Sequence, residues 1–537
     1  MVDDSSCRKN TFMRGQTTID RLNYRQMESS NKDDSVRFIF SVRFIVAVMA
    51  CLCLAIQYSQ RVNLTMGIVC MVNKTAVSII QEQSKSVQNL ADVNSSQATS
   101  TPTNKQITTL KPRKANKKFK DGPFIWTKPV QGRVLSAYFF GYIAFQIGGA
   151  MLASKFGPYR VLISAMSLGT LTTFLTPPLA KMSYVAVIIL RVLTGLSAGV
   201  VWPAMVELCT RWSPKHEKST ILAIGNSGAQ IGPLFSMPLF GALCASSLLG
   251  GWPLVYYVSG GLGLVWIILC IILISSNPQK HRFMSAKEKA YIQRHAILKS
   301  HEKNVVKQKQ AKVPFGKIFK SIPCIAMFSS HFFKAFGFYT ILTNISTYYE
   351  EILKLDLISS GYLTAIPYVC YWICTVASGK MADYLIKRKI LSISPCRKLF
   401  TAIGSFGPAI TVFALGFIDH RIRWVGILMI TLTLAFLGFN SGGGMYIVCQ
   451  DMAPKFASTL WGISNTFGTA PGIIVPLVIG LLTKNRILKE WRVVFIICAV
   501  SYVVSGLAFV LFGSAELQPW ANINDNPHDA DELEKMT

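Results

Sequence analysis

Three cations lie within stretches apolar enough to cross a bilayer: Arg61, preceded by Gln57 and Gln60, then Arg191 and Lys334. A charge at bilayer depth costs about 2.5–3.5 kcal/mol on insertion scales, so each demands compensation. Carboxylates to supply it are scarce, because Glu207, Asp383 and Asp451 all fall at predicted span ends. A positive interior without a native partner, facing a water-filled seam, is a site for an anion. Arg61 and Lys334 also have plainer readings, Arg61 snorkelling from a helix end and Lys334 paired with an amide or carbonyl, whereas Arg191 lies deeper in its run. His331, one turn before Lys334, has a side chain type suited to proton relay, or is a packed polar residue. Tyr142 and Tyr339, with Tyr58, Tyr138 and Trp202, either line the cavity or fill helix interfaces.

These residues need helices to hold them. With 51% hydrophobic and 15% charged residues over 537 positions, the chain is too apolar for a soluble enzyme. Runs of about 20 apolar residues, the length that spans about 30 Å of hydrocarbon, occur about twelve times. The sequence predicts, among others, spans over Arg133–Ala153, Pro323–Tyr349, Ser359–Ala382 and Trp424–Val448. The two halves repeat each other. Ser219-Thr220, Ile224 and Asn226 recur as Ser458-Thr459, Ile463 and Asn465 at a distance of 239 residues, and Trp252 answers Trp491 at the same interval. A tandem duplication of apolar helices is the plan of a secondary transporter with its site at the seam. The repeat sets Asn226 and Asn465 at equivalent depths, as a hydrogen bond between halves that breaks during transport or as glue within each bundle.

Charge distribution gives the expected organisation: tail 1–41, a six-helix bundle 42–275 with a large outside loop 73–130, a basic linker 276–322, a second bundle 323–512 and an acidic tail 513–537. The linker carries twelve Lys/Arg against Glu288 and Glu302, which puts it and both termini in the cytoplasm. Asn94-Ser95-Ser96 is then an outside glycosylation sequon. The net charge of +29 resides mainly in tails and loops, where it orients the chain and meets anionic headgroups, and no nucleic-acid-binding pattern accompanies it. Of thirteen cysteines, those in apolar runs, including Cys70 and Cys244, read as small core residues rather than disulfide or metal partners. Gly442-Gly443-Gly444 lacks the Lys-Ser/Thr of a phosphate loop and reads as a close helix approach. No nucleophile–base pair or metal cluster suggests an enzyme.

Several motifs resemble known transporters. Gly379-Lys380-Met381-Ala382-Asp383, with Lys387 and Arg388, resembles the loop signature of the major facilitator superfamily; its counterpart over Gly149 to Arg160 is degraded, with Ser154 in place of the acid. Arg61-Val62-Asn63-Leu64, Gly141-Tyr142 with Gln146, Arg191 with Gly195 and Gly199, Trp212-Ser213-Pro214 with Glu217, Gly462-Ile463-Ser464-Asn465 and Gln518-Pro519-Trp520-Ala521 resemble the anion:cation symporters. That family includes sodium/phosphate cotransporters, sialin and vesicular glutamate transporters, and the likeness is greatest to insect proteins described as inorganic phosphate cotransporters. It runs from Phe44 to Ala521. The resemblance implies an all-α membrane protein of about twelve helices in two six-helix pseudo-repeats, and alternating access. It also implies an anion held by Arg61, Arg191 and Lys334, with a gating loop at Gly379, Asp383 and Arg388. Ala198 stands where proton-coupled members carry glutamate, and Val206 where they carry histidine.

The expectation is therefore a symporter of inorganic phosphate or organic anions in the plasma membrane, without a cofactor. Its co-substrate is sodium in preference to a proton, because of Ala198. Tyr142 and Tyr339 complete the binding list, with His331, Asn226 and Asn465 as coupling candidates. A channel or uniporter, and a non-transporting receptor on the same fold, are the competing readings.

Overall fold

A computed structural model describes residues 38–39, 41–80, 83, 122–213, 217–275, 281, 284–292 and 314–521. Twelve long helices account for most of them. In the first half these are α1 (Val42–Met71), α2 (Lys128–Phe156), α3 (Pro158–Ala180), α4 (Tyr184–Trp212), α5 (Lys218–Ala245) and α6 (Trp252–Leu273). In the second they are α7 (Ile322–Glu351), α8 (Leu357–Lys387), α9 (Ile393–Leu415), α10 (Arg423–Gly442), α11 (Ala457–Leu482) and α12 (Leu488–Phe512). Among the described residues the only β pairing is an isolated bridge between Val72 and Phe124.

Local chemistry fixes the helix starts. Ser41, Ser183 and Asp356 accept backbone N–H bonds from Phe44, Val185 and Ser359 at 3.2, 3.1 and 3.0 Å, and proline occupies the first turn of α2, α3, α6 and α7. Nine stretches among the described residues are long and apolar enough to cross a membrane. α7 is not one of them, since it spends its length on His331, Lys334, Asn344 and several Ser, Thr and Tyr. A helix this polar survives at depth by facing other protein or a cavity, and α7 does both.

Within the first half, α2 lies so close on α4 that a Cβ at Gly195 would overlap the carbonyl of Tyr138. The halves meet through α2 against α11, α5 against α8, and α1 against α7. The first two crossings are close at the end of the bundle where α1 finishes, here termed the loop end. There a Cβ at Gly480 would sit 2.7 Å from the Lys128 carbonyl, and one at Gly361 would sit 2.8 Å from that of Met237 and 3.3 Å from Cα of Gly241. Gly241 and Gly480 are 239 residues apart, the repeat interval, so one contact is built twice. At the opposite end, the tail end, Arg43 is fully buried between Glu217 and Glu288, with its Nε 3.2 Å from Glu288 Oε1.

The structure corrects several expectations. Cys70 and Cys244 are not free core residues: they form a disulfide joining the loop ends of α1 and α5. Gly379 and Asp383 lie in the last turns of α8 and Arg388 caps it, so the supposed gating loop is helix. The triple glycine allows close approach as expected, with a Cβ at Gly443 falling 2.7 Å from the Phe400 ring, and it also ends α10, which resumes only at Met445–Met452. One buried acid went unnoticed at a span end: Glu351, which closes α7. The sequon at Asn94 and most of the basic linker lie outside the described residues.

Candidate functional site

Between the halves lies a cavity of about 170 Å³. The first half contributes Tyr58 and Arg61 from α1, Tyr142 from α2, Trp202 from α4 and Gln230 from α5; the second contributes His331, Lys334 and Tyr339 from α7, Tyr446 from the segment after α10, and Trp461 and Asn465 from α11. No carboxylate lines it among the described residues.

Arg61 stands at the loop-end side of this cavity inside an aromatic cage. Its guanidinium carbon is 5.4, 5.3, 4.9, 5.8 and 5.2 Å from the ring centroids of Tyr58, Tyr138, Phe139, Tyr142 and Tyr339. Quadrupoles of these rings stabilise the charge without neutralising it. Its Nε and Nη2 are shielded from solvent and have no hydrogen-bond partner. Two unused N–H groups on a fixed planar fork match a carboxylate or phosphate.

Lys334 approaches from the other half, 4% exposed, with Nζ 3.5 Å from the centre of the Tyr446 ring. His331 is held on both nitrogens, by Ser464 Oγ at 2.8 Å and Tyr446 Oη at 3.3 Å, and stacks on Trp461 at 5.8 Å. Tyr446 therefore touches both the cation and the imidazole.

Arg191 sits elsewhere. It does not line the large cavity but a void of about 10 Å³ beyond Arg61, together with Leu135, Tyr138, Phe139 and Thr343. Arg61 and Leu342 border both spaces. Arg191 donates to Asn63 Oδ1 at 2.6 Å and to the Gln60 carbonyl at 3.2 Å, while Asn63 and Gln60 in turn reach Ser259 and Thr170 at 3.3 and 3.4 Å. One side-chain amide oxygen and one backbone carbonyl, not an acid, satisfy two of its nitrogens, and its Nε has no partner. Neither Arg61 nor Arg191 is paired with a carboxylate among the described residues.

The coupling candidates separate. Asn465 lines the cavity beside His331, whereas Asn226 lies outside its lining with Oδ1 unpartnered, and no bond joins the two amides. Ala198 is buried in the apolar core. Asp383 is exposed on α8, and Arg388 rests 5.6 Å from the Tyr384 ring. Sequence reasoning missed Tyr446 and Trp461; Tyr446 follows the Gly442–Gly444 break by two residues, which was the available signal for it, and Trp461 had none.

Comparison with known proteins agrees with this architecture. The family model described as Major Facilitator Superfamily matches residues 62–476. Human sialin is 36% identical over 90% of this chain and 92% of its own length. A Drosophila melanogaster protein named as a candidate inorganic phosphate cotransporter is 31% identical over 94% of this chain and 90% of its own. Human vesicular glutamate transporter 2 is 30% identical over 92% of this chain and 79% of its own. A crystal structure of a D-xylose–proton symporter superposes with a TM-score of 0.63 at 15% identity, covering 90% of this chain and all of that one, which speaks for the fold alone.

Proposed function

The chain belongs to the major facilitator superfamily and to the sialin and vesicular glutamate transporter branch of it, and from that premise we propose that it carries a small organic anion across a membrane by alternating access. One observation carries the reading: the Arg61 guanidinium, caged by five rings and without a hydrogen-bonding partner on two nitrogens, lines the same cavity as Lys334 of the other half. An anion between them would neutralise a cation on each half and so favour closure of the halves around it. Orthophosphate is the alternative substrate. The cavity's aromatic walls and volume favour a larger organic anion, given that a cavity of roughly 150 Å³ accepts a benzene ring.

Sodium is the proposed driving ion. Support comes from Ala198 in the apolar core and from a cavity lining without carboxylates, which leaves no acid there to carry a proton. His331, bonded on both ring nitrogens beside Lys334, supports a second reading in which a proton is the co-substrate. The loop end is proposed to face the extracellular side or an organelle lumen, because disulfides persist in oxidising compartments. Residence at the plasma membrane is proposed over an organelle, and surface biotinylation of the expressed chain distinguishes them.

Uptake into proteoliposomes, with phosphate, glutamate, urate and sialic acid offered under separate sodium and pH gradients, tests the proposal. Concentrative uptake of an organic acid that ceases when choline replaces sodium is the expected result. Currents without accumulation would favour a channel, and no flux of any anion would refute a carrier.

A further inference from the structure

A second cluster of charge bridges the halves at the loop end, away from the cavity. Glu351, the last residue of α7 and 6% exposed, lies in ion-pair contact with Lys128 at the start of α2 through Oε1. The same oxygen is 3.7 Å from Nε of Arg486, and Oε2 accepts the Trp491 Nε1–H at 3.2 Å. Beside it Glu350 holds Lys74 at 2.9 Å. Lys74 and Lys128 belong to the first half, whereas both glutamates, Arg486 and Trp491 belong to the second.

The partners are set in advance by their own halves. Gln131 of α2 donates to the Trp126 carbonyl at 2.8 Å and the Phe124 segment bridges to Val72, which fixes the turn that presents Lys128. On the other side Arg486 and Lys354 both adopt left-handed backbone, at φ 57, and the Lys354 ammonium caps the Glu351 carbonyl. Left-handed backbone costs a non-glycine residue roughly 1–2 kcal/mol, so two such residues beside one carboxylate imply that the geometry around it is selected. Lys128 is also the residue whose carbonyl abuts Gly480, so the ion pair sits on the α2–α11 crossing.

We infer that Glu351 is the latch of the loop-end gate: its pair with Lys128, reinforced by Lys74–Glu350, holds the halves together there, and breaking that pair opens the route to Arg61. The inference rests on the alternating-access reading. An ion pair suits a contact that must open repeatedly, because desolvation offsets much of its attraction and each charge is rehydrated when the gate parts. Arg486 and Trp491 orient Glu351 from within its own half and do not themselves bridge the halves.

The test reads conformation rather than uptake, so it can fail separately from the transport proposal. A cysteine at Thr343, which lines the small void beyond Arg61, reports access from the loop end through its rate of reaction with a bulky maleimide on purified full-length protein. The protein without that cysteine supplies the blank. Glu351→Gln and Lys128→Gln should each raise the rate roughly tenfold, the shift that about 1.4 kcal/mol of lost contact produces, and the double variant should add nothing further. Arg486→Gln should stay within about twofold, because it leaves the bridging pair in place. An unchanged rate in a monodisperse Glu351→Gln protein would overturn the latch, as would an Arg486→Gln rate equal to it. Should Glu351→Gln not fold, Lys128→Gln decides the matter by the same criterion. If the latch variants behave as expected but no anion is carried, the gate stands and the carrier proposal falls.

Discussion

Replacing Arg61 with glutamine separates binding from architecture. In the unliganded protein the change removes two buried donors without partners, each costing about 1–3 kcal/mol, and relieves the burial of a charge. It also removes attraction to five rings, at about 0.5–1 kcal/mol for each effective contact. These contributions have similar size and opposite sign. Arg61→Gln should therefore unfold within a few degrees of the parent when no anion is present. With ligand the two proteins should diverge. An anion at a hundredfold excess over its Kd stabilises the parent by about 2.7 kcal/mol, and the variant should lose nearly all of that with its transport. Thermal unfolding of both proteins, with and without the anion identified by uptake, makes the comparison. Retained stabilisation in the variant would remove Arg61 from the site, whereas collapse of the unliganded variant would show that the guanidinium holds the cage together instead.

Arg191→Gln should behave in the opposite way: it strips bonds from Asn63 and Gln60, and lower thermal stability of the unliganded protein by about 1–3 kcal/mol is expected, measurable in the same assay. Cys70→Ser should lower stability by about 2–4 kcal/mol and make melting insensitive to reductant, with non-reducing peptide mapping as the check on the bridge to Cys244. Gly361→Ala, whose methyl would meet the Met237 carbonyl at 2.8 Å, should loosen the loop end and raise thiol access at Thr343, while Gly261→Ala, with open space around it, should leave that rate unchanged.

The fold was legible because the repeat and the apolar runs are properties of composition and order. The helix ends were less so: α2 starts at Lys128 rather than Arg133 because Thr127 and Pro129 begin it before the apolar run does. Arg61, Lys334, Tyr142 and Tyr339 lie along one cavity, and their charge and aromaticity marked them as candidates. Arg191 carries the same charge signal but spends it on α1, and no sequence feature states which way a side chain turns. The partnership of Cys70 with Cys244 joins residues 174 apart, and each alone resembles any small apolar residue. Glu351 escaped notice because it follows the apolar run of α7 by two residues and so reads as surface; only the return of α2 and α12 to that point buries it.

Arg61 borders both the large cavity and the void beyond it, so on the proposed route the partition between them is itself cationic. Such a barrier is tight against leakage of one sign. A hydronium or sodium ion arriving by itself is repelled by a fixed positive group in a low-dielectric passage, whereas an anion draws that group toward itself. In the proposed carrier the membrane gradient is thereby protected during the intervals when no cargo is aboard.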